Sequence, residues 1–145
     1  MSEAAASQRS LYDLAAAVRF IRENDRFLVV SHVQPDGDAA SSTAAVGLLL
    51  EALGKTYVMA NCDPLPNKLS YLPGYAKIRW TRSDQEAAPA PQFRHIIAVD
   101  CADYSRIGEA ELWFDEQAEI LNIDHHPTND GYGAVQLIRP DAAAT

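Results

Sequence analysis

Apolar positions along the chain fall into two kinds of run. Leu11, Leu14, Ala15, Val18 and Ile21 recur at helical spacing, and Ser10 with Asp13 three positions on resembles a capping box. That pattern predicts an amphipathic helix ending near Asn24. Residues 27–31 are almost continuously apolar instead, which suits a central strand covered on both faces by helices. A second helix is predicted over 39–53, with Ala45, Leu48, Leu49 and Ala52 on one face and Gly54 as its stop. Residues 56–60 read as the next strand, bounded by Asn61 and the Pro64-Leu65-Pro66 break, and complete a parallel strand-helix-strand unit.

The second half repeats this alternation less regularly. Between Lys68 and Trp80 the pattern allows a short helical turn and an extended piece at 78–80. The polar, Ala- and Pro-rich stretch 82–92 reads as a surface connection and not a domain boundary. Strands are predicted at 93–100, 119–123 and 134–138, and a short helix at 107–117 with Leu112, Trp113 and Phe114 partly inward. The closing Ala142-Ala143-Ala144-Thr145 resembles the start of a helix. Alternating strands and helices imply an α/β fold, a mainly parallel sheet flanked by helices.

Composition narrows the picture. With 145 residues, 15.9 kDa and 48% hydrophobic residues, the chain suffices for one domain around a single core. A net charge of −8 argues against a broad face for long duplex nucleic acid, which needs clustered cations, but leaves room for a small phosphorylated ligand held through metals. Cys62 and Cys101 lack paired spacing and read as buried or loop thiols. The amino terminus carries charges within its apolar stretch and has no signal-type core, and the longest apolar run, 44–50, is far short of the ~20 residues that cross a bilayer. A soluble, cytoplasmic protein without a membrane partner is expected.

The informative chemistry sits where strands end. The first predicted strand runs into His32, Asp36 and Asp38, the strand at 93–100 into Asp100, and that at 119–123 into Asp124, His125 and His126. Carboxyl ends of neighbouring parallel strands meet at one edge, so these residues should converge. Gly37, between two acids, lets the backbone turn tightly enough for both to reach one side. Each residue has a plainer reading: His32 as a core histidine, Asp36 as a turn former, Asp38 as a helix N-cap, Asp100 and Asp103 as caps, and His125-His126 as a solvated pair before Pro127. All three strand ends would need such readings at once, and crowded carboxylates repel unless a cation joins them. Aspartates with imidazoles and no thiolate favour Mn²⁺ or Mg²⁺, manganese suiting the imidazoles better. Two such ions about 3.5–4 Å apart form a centre suited to attack on a phosphoryl group.

At these residues the chain resembles the DHH phosphoesterase superfamily. His32-Val33-Gln34-Pro35-Asp36-Gly37-Asp38 is similar to its first motif, Val99-Asp100-Cys101-Ala102-Asp103 to its second, and Asp124-His125-His126 to the third. The Asp-His-His-Pro-Thr-Asn-Asp run and the Pro-Asp-Ala-Ala-Ala-Thr ending resemble the branch of nanoRNases that also hydrolyse 3′-phosphoadenosine 5′-phosphate. The resemblance implies that His32 and Asp36 bind one Mn²⁺, that Asp38 and His125 bind a second, and that Asp100 bridges them, with Mg²⁺ as an alternative ion. It implies that His126 contacts the scissile phosphate as a catalytic and substrate-binding residue, while Asp124 orients the neighbouring histidine from behind. The activity implied is hydrolysis of short oligoribonucleotides and 3′-phosphoadenosine 5′-phosphate by a metal-held hydroxide, without a covalent enzyme intermediate. Residues 1–145 are then expected to be a DHH domain incomplete at its carboxy terminus, lacking the family's further metal-binding aspartate and its smaller substrate-gripping domain. Expected partners are a short oligonucleotide or small phosphorylated nucleotide, and a homodimer is compatible with this. Two readings stay open beside it: pyrophosphate or cyclic-dinucleotide hydrolysis on the same centre, and a non-catalytic metal- or nucleotide-binding domain.

Overall fold

Strands that are apolar on both sides need cover on both sides, and the computed structural model of the chain, which describes residues 11–81 and 91–145, supplies it. Six strands form one sheet: β1 (Phe27–Val30), β2 (Tyr57–Asn61), β3 (Arg79–Trp80), β4 (Phe93–Val99), β5 (Phe114–Asp124) and β6 (Val135–Ile138). Their order is β3-β2-β1-β4-β5-β6 and every neighbouring pair is parallel. The expected α/β class and parallel sheet are therefore found. The strand order reverses between β1 and β4, and in open α/β sheets a crevice forms at such a reversal, outside the carboxyl ends of the strands.

The period of two along β1 divides the core. Phe27 and Val29 face helices α1 (Leu14–Glu23) and α2 (Gly37–Ala52), packing with Ala17, Phe20, Leu50, Met59 and Leu121. Leu28 and Val30 face the other way, against Ile107, Ala110 and Trp113 of a 3₁₀ stretch, Tyr104–Trp113. All four β1 residues are wholly buried. Among the described residues, no helix is long and apolar enough to cross a membrane.

Several sequence expectations are corrected. Helix α1 is capped by Asp13, whose side chain accepts from Ala16 N, and it buries Ala17 and Phe20; Leu11, Leu14 and Val18 are exposed, and Ser10 lies outside the described residues. In α2 the face chosen by hydrophobicity, Ala45, Leu48, Leu49 and Ala52, points to solvent. The buried face is Ala40, Thr43, Ala44, Gly47 and Leu50, because the helix lies so close to β2 that a Cβ on Gly47 would stand 2.6 Å from Met59 Sδ. Close approach selects small residues and sends the leucines outward.

The helix predicted at 107–117 is instead the 3₁₀ stretch, and Phe114 to Gln117 already belong to β5. Gly108, with φ 69° and ψ −147°, breaks any α-helical ladder there. Residues 142–145 form no helix: Thr145 N donates to Asp38, not to the carbonyl of Asp141. Of the polar connection at 82–92, residues 82–90 lie outside the described residues.

Gly108 also fixes how closely the 3₁₀ stretch meets the loop after β1, since a Cβ there would stand 2.7 Å from Val33 Cγ1 and 2.9 Å from Cys62 Sγ. Gly108→Ala combines that overlap with a backbone region nearly closed to side chains, and is expected to destabilise the fold by on the order of 3 kcal/mol in urea denaturation.

Candidate metal centre

The loop after β1 is anchored before it carries any chemistry. Ser31 donates both its N–H and its hydroxyl to the buried Asn61 Oδ1, at 2.9 and 2.8 Å, which ties the end of β1 to the end of β2. Val33 N donates to the Arg106 carbonyl at 2.7 Å, which ties it to the 3₁₀ stretch. Gln34 then adopts a left-handed φ of 52° and turns the chain into α2. Asp36, and not Asp38, is the helix N-cap, its Oδ1 accepting from Ala39 N at 3.0 Å. Asp38 sits in the first helical turn, where Ser42 Oγ donates to it at 3.1 Å. The cap reading given to Asp38 is therefore corrected to Asp36, whose capping oxygen also lies 3.7 Å from His32 Nε2.

Asp100 is the meeting point. It directly follows β4, is 2% exposed, and has a left-handed φ of 55° that a non-glycine residue adopts only when its surroundings enforce it. One oxygen, Oδ2, lies 3.4 Å from His32 Nε2, which is itself 3.7 Å from Asp36 Oδ1. The other, Oδ1, lies 3.5 Å from His125 Nε2, which is 3.2 Å from Asp38 Oδ2. Two His-Asp pairs thus approach one carboxylate, each at its own oxygen.

The three histidines differ in what their second nitrogen touches. His32 Nδ1 meets the Val33 carbonyl at 2.7 Å and His125 Nδ1 the Ala142 carbonyl at 3.2 Å. A carbonyl only accepts, so Nδ1 carries the proton in both and Nε2 faces the carboxylates with a lone pair. His126 is reversed: its Nδ1 bonds Asp124 Oδ1 at 2.6 Å. Asp124 therefore orients His126, while His125 is held by backbone.

Asp124 is held in turn. Asn129 Nδ2 donates to Asp124 Oδ2 at 2.8 Å and to Asn122 Oδ1 at 2.7 Å. Asn122 Nδ2 donates to the carbonyls of Ala98 and Cys101 at 3.1 and 3.3 Å, which flank Asp100. One chain of hydrogen bonds therefore runs from His126 to the backbone on either side of Asp100.

Lone pairs facing carboxylate oxygens repel unless a proton or a metal lies between them. The hydrogen bond to Asp100 holds the His32 imidazole above its ordinary value near 6.5, against the opposing effect of burial, which favours a proton between the two. Burial pushes the Asp100 carboxyl up, but hydrogen bonds with His32 and Thr145 help to outweigh it and the group ends below the usual carboxylate range. The donor set fits divalent metal equally well. Oxygen and imidazole ligands about 2.1–2.2 Å from an ion are separated from each other by roughly 3.0–3.6 Å, close to the N–O separations here. His32, Asp36 and Asp100 form one group of mutually close donor atoms; Asp100, Asp124, His125 and His126 form another.

All seven residues singled out in sequence, His32, Asp36, Asp38, Asp100, Asp124, His125 and His126, are brought to the crevice at the strand ends. Asp103 is not part of the cluster; it caps the 3₁₀ stretch by accepting from Ser105 N and Oγ. Missed in sequence were Asn61, Asn122 and Asn129, and Thr145, which donates its N–H to Asp38 and its hydroxyl to Asp100 at 3.1 Å. An asparagine inside the apolar run Leu121-Asn122-Ile123 was the available signal, since a buried amide must be fully bonded.

Comparison with known proteins places the chain in a family. The pattern described as "DHH family, N-terminal domain" matches residues 26–145. A protein of Thermus thermophilus named "Bifunctional oligoribonuclease and PAP phosphatase NrnA" is 33% identical over 121 residues, 81% of this chain and 33% of that protein. Its Bacillus subtilis namesake is 30% identical over 131 residues, 88% of this chain and 37% of that protein. The chain thus spans about a third of the length of these curated relatives. An exopolyphosphatase-related protein from Bacteroides fragilis shares the fold, with a TM-score of 0.74 at 23% identity, covering 90% of this chain and 39% of its own.

Two outcomes are expected. Protons compete with metal at His32 from above its ordinary value, so calorimetric Mn²⁺ affinity should fall steadily as pH is lowered from 8 to 6, and more weakly in His32→Gln. Asn129→Ala should leave Mn²⁺ affinity within about threefold of wild type while broadening the nuclear magnetic resonance signals of the His126 ring, because it removes the amide that holds Asp124.

Proposed function

This chain belongs to the DHH family, and on that premise we propose that it is a divalent-metal phosphoesterase domain acting with Mn²⁺ on short oligoribonucleotides and on 3′-phosphoadenosine 5′-phosphate. The observation that carries the reading is the buried Asp100 carboxylate, whose two oxygens are each faced by a separate His-Asp pair. In this reading His32 and Asp36 would hold one ion and Asp38 and His125 a second, with Asp100 serving both. Bound there, the ions supply Lewis acidity toward phosphoryl oxygens and acidify a water at neutral pH. Carboxylates with imidazoles and no thiolate favour manganese over zinc, and magnesium is the natural substitute.

The protein's own groups do the rest. With Nδ1 fixed on Asp124, His126 presents only Nε2 to a ligand, so its remaining contact is with a phosphate oxygen or a departing oxygen. Asp124 stabilises positive charge on that ring and keeps it from rotating. The cleft that His126 lines has a volume of about 330 Å³ and is also lined by His32, Asp36 and Asp100. That size suits one nucleotide or a chain end, and the −8 charge disfavours long duplexes.

Choice of substrate class leans on the two relatives, both named as oligoribonuclease and PAP phosphatase. The matched pattern is that of an N-terminal domain, which supports reading the chain as the metal-bearing part of a two-domain protein.

The test is hydrolysis of a diribonucleotide and of 3′-phosphoadenosine 5′-phosphate by the full chain, with Mn²⁺ and after chelation, alongside pyrophosphate and a cyclic dinucleotide. Metal-dependent cleavage of the first two is expected. A folded protein that cleaves neither in Mn²⁺ would overturn the proposal, and selective cleavage of the last two would reassign it. Asp100→Ala should lower kcat by at least about 10³-fold, because it removes the one carboxylate shared by both halves of the site.

A further inference from the structure

One permanent cation lines the cleft beside the acids and imidazoles, Arg106. Its backbone is fixed from two sides: Arg106 N donates to the Asp103 carbonyl at 3.0 Å, and its own carbonyl accepts from Val33 N at 2.7 Å. Ile107, the next residue, is buried in the core. The side chain is exposed and forms no ion pair among the described residues, although the chain carries twenty acids. Arg139, by contrast, pairs with Asp141 at 3.4 Å. The Asp103 carboxylate that shares the cleft is engaged chiefly in capping Ser105, and its attraction to Arg106 is the weakest of the influences that hold it below the usual carboxylate range.

Two further donors line the same cleft, the Gln34 amide and the Thr128 hydroxyl. Gln34 is held in its left-handed conformation by a bond from its N–H to Asp63 Oδ2 at 3.0 Å. A non-glycine residue fixed in that region at a cleft is a mark of a functional position. The lining therefore combines acceptors that call for cations, Asp36 and Asp100, with donors that call for an anion. Arg106, Gln34 and Thr128 are separate residues from the close-set acids and imidazoles, so the cleft offers them as donors beyond the cluster itself.

We propose that Arg106, assisted by Gln34 and Thr128, is a subsite for a second, non-reacting phosphate, so that the site selects esters carrying a terminal phosphate besides the one being cleaved. The inference rests on the proposed function and deepens it. A guanidinium fork matches the oxygens of a terminal phosphate in paired hydrogen bonds, which a lysine at the same place would not reproduce.

The experiment compares matched substrates in Mn²⁺ with the full chain: diadenylate with and without a 5′-phosphate, and adenosine 3′,5′-bisphosphate against adenosine 3′-monophosphate. Wild type is expected to favour the extra phosphate by about 10- to 100-fold in kcat/KM. R106Q should collapse that ratio to near one through KM, and R106K should retain an intermediate ratio. A wild-type ratio near one, or a ratio that survives in R106Q, overturns the subsite. Cleavage of none of the four by wild type is a failure of the proposed function instead. The subsite is then read by calorimetric binding of adenosine 3′,5′-bisphosphate with Mn²⁺: binding at least tenfold weaker in R106Q supports it, and equal or absent binding overturns it.

Discussion

A carboxylate taken out of water must be matched at both oxygens, and Asp100 is the residue on which that demand falls. It is buried, strained in a left-handed backbone, and faced by an imidazole at each oxygen. The surrounding arrangement follows from supplying those partners. The loop after β1 brings His32 to one oxygen; the loop after β5 brings His125 to the other; Asp100 N is itself held by the Ile123 carbonyl. Such a cluster calls for shared positive charge, from a proton favoured on His32 or from metal, and the geometry accommodates either.

What separates the roles of the histidines is the partner of the nitrogen that faces away from Asp100 or toward Asp124. His32 and His125 give one N–H to backbone carbonyls and so turn bare nitrogens toward the acids. His126 gives its N–H to Asp124 and is left with one nitrogen for the cleft. Two adjacent residues of identical chemistry thereby present different nitrogens to different neighbours, His125 its Nε2 to Asp38 and His126 its Nδ1 to Asp124. The asparagine relay through Asn129 and Asn122 makes the second contact depend on the same backbone that fixes Asp100.

The scaffold serves this placement through close packing. Helix α2 starts at the site, with Asp36 as cap and Asp38 in the first turn, and it can do so because Ala40, Ala44 and Gly47 let it lie almost against the sheet. On the opposite side Gly108 allows the 3₁₀ stretch to reach Val33, which carries Arg106 to the same cleft. Small residues at both contacts set the width of the crevice.

The strand-end placement of seven ionisable residues was legible in the sequence, because continuous apolar runs mark buried parallel strands and parallel strands bring their ends together. The α/β class followed from the same alternation. Helix faces were not legible: hydrophobicity ranks Leu48 and Leu49 above Ala44 and Gly47, whereas contact distance to β2 ranks them the other way. The 3₁₀ stretch was read as a helix because Gly108 gives no periodic signal of its conformation. Only the tertiary structure decided that Asp36 and not Asp38 caps the helix, which histidine turns toward Asp124, and that Asn61, Asn122, Asn129 and Arg106 belong to the site. Asn61 meets Ser31 from thirty residues away, and local sequence carries no record of such a partner. The Asp36 cap and the His126–Asp124 bond join near neighbours, but which atom meets which depends on the backbone path that the packed loops impose.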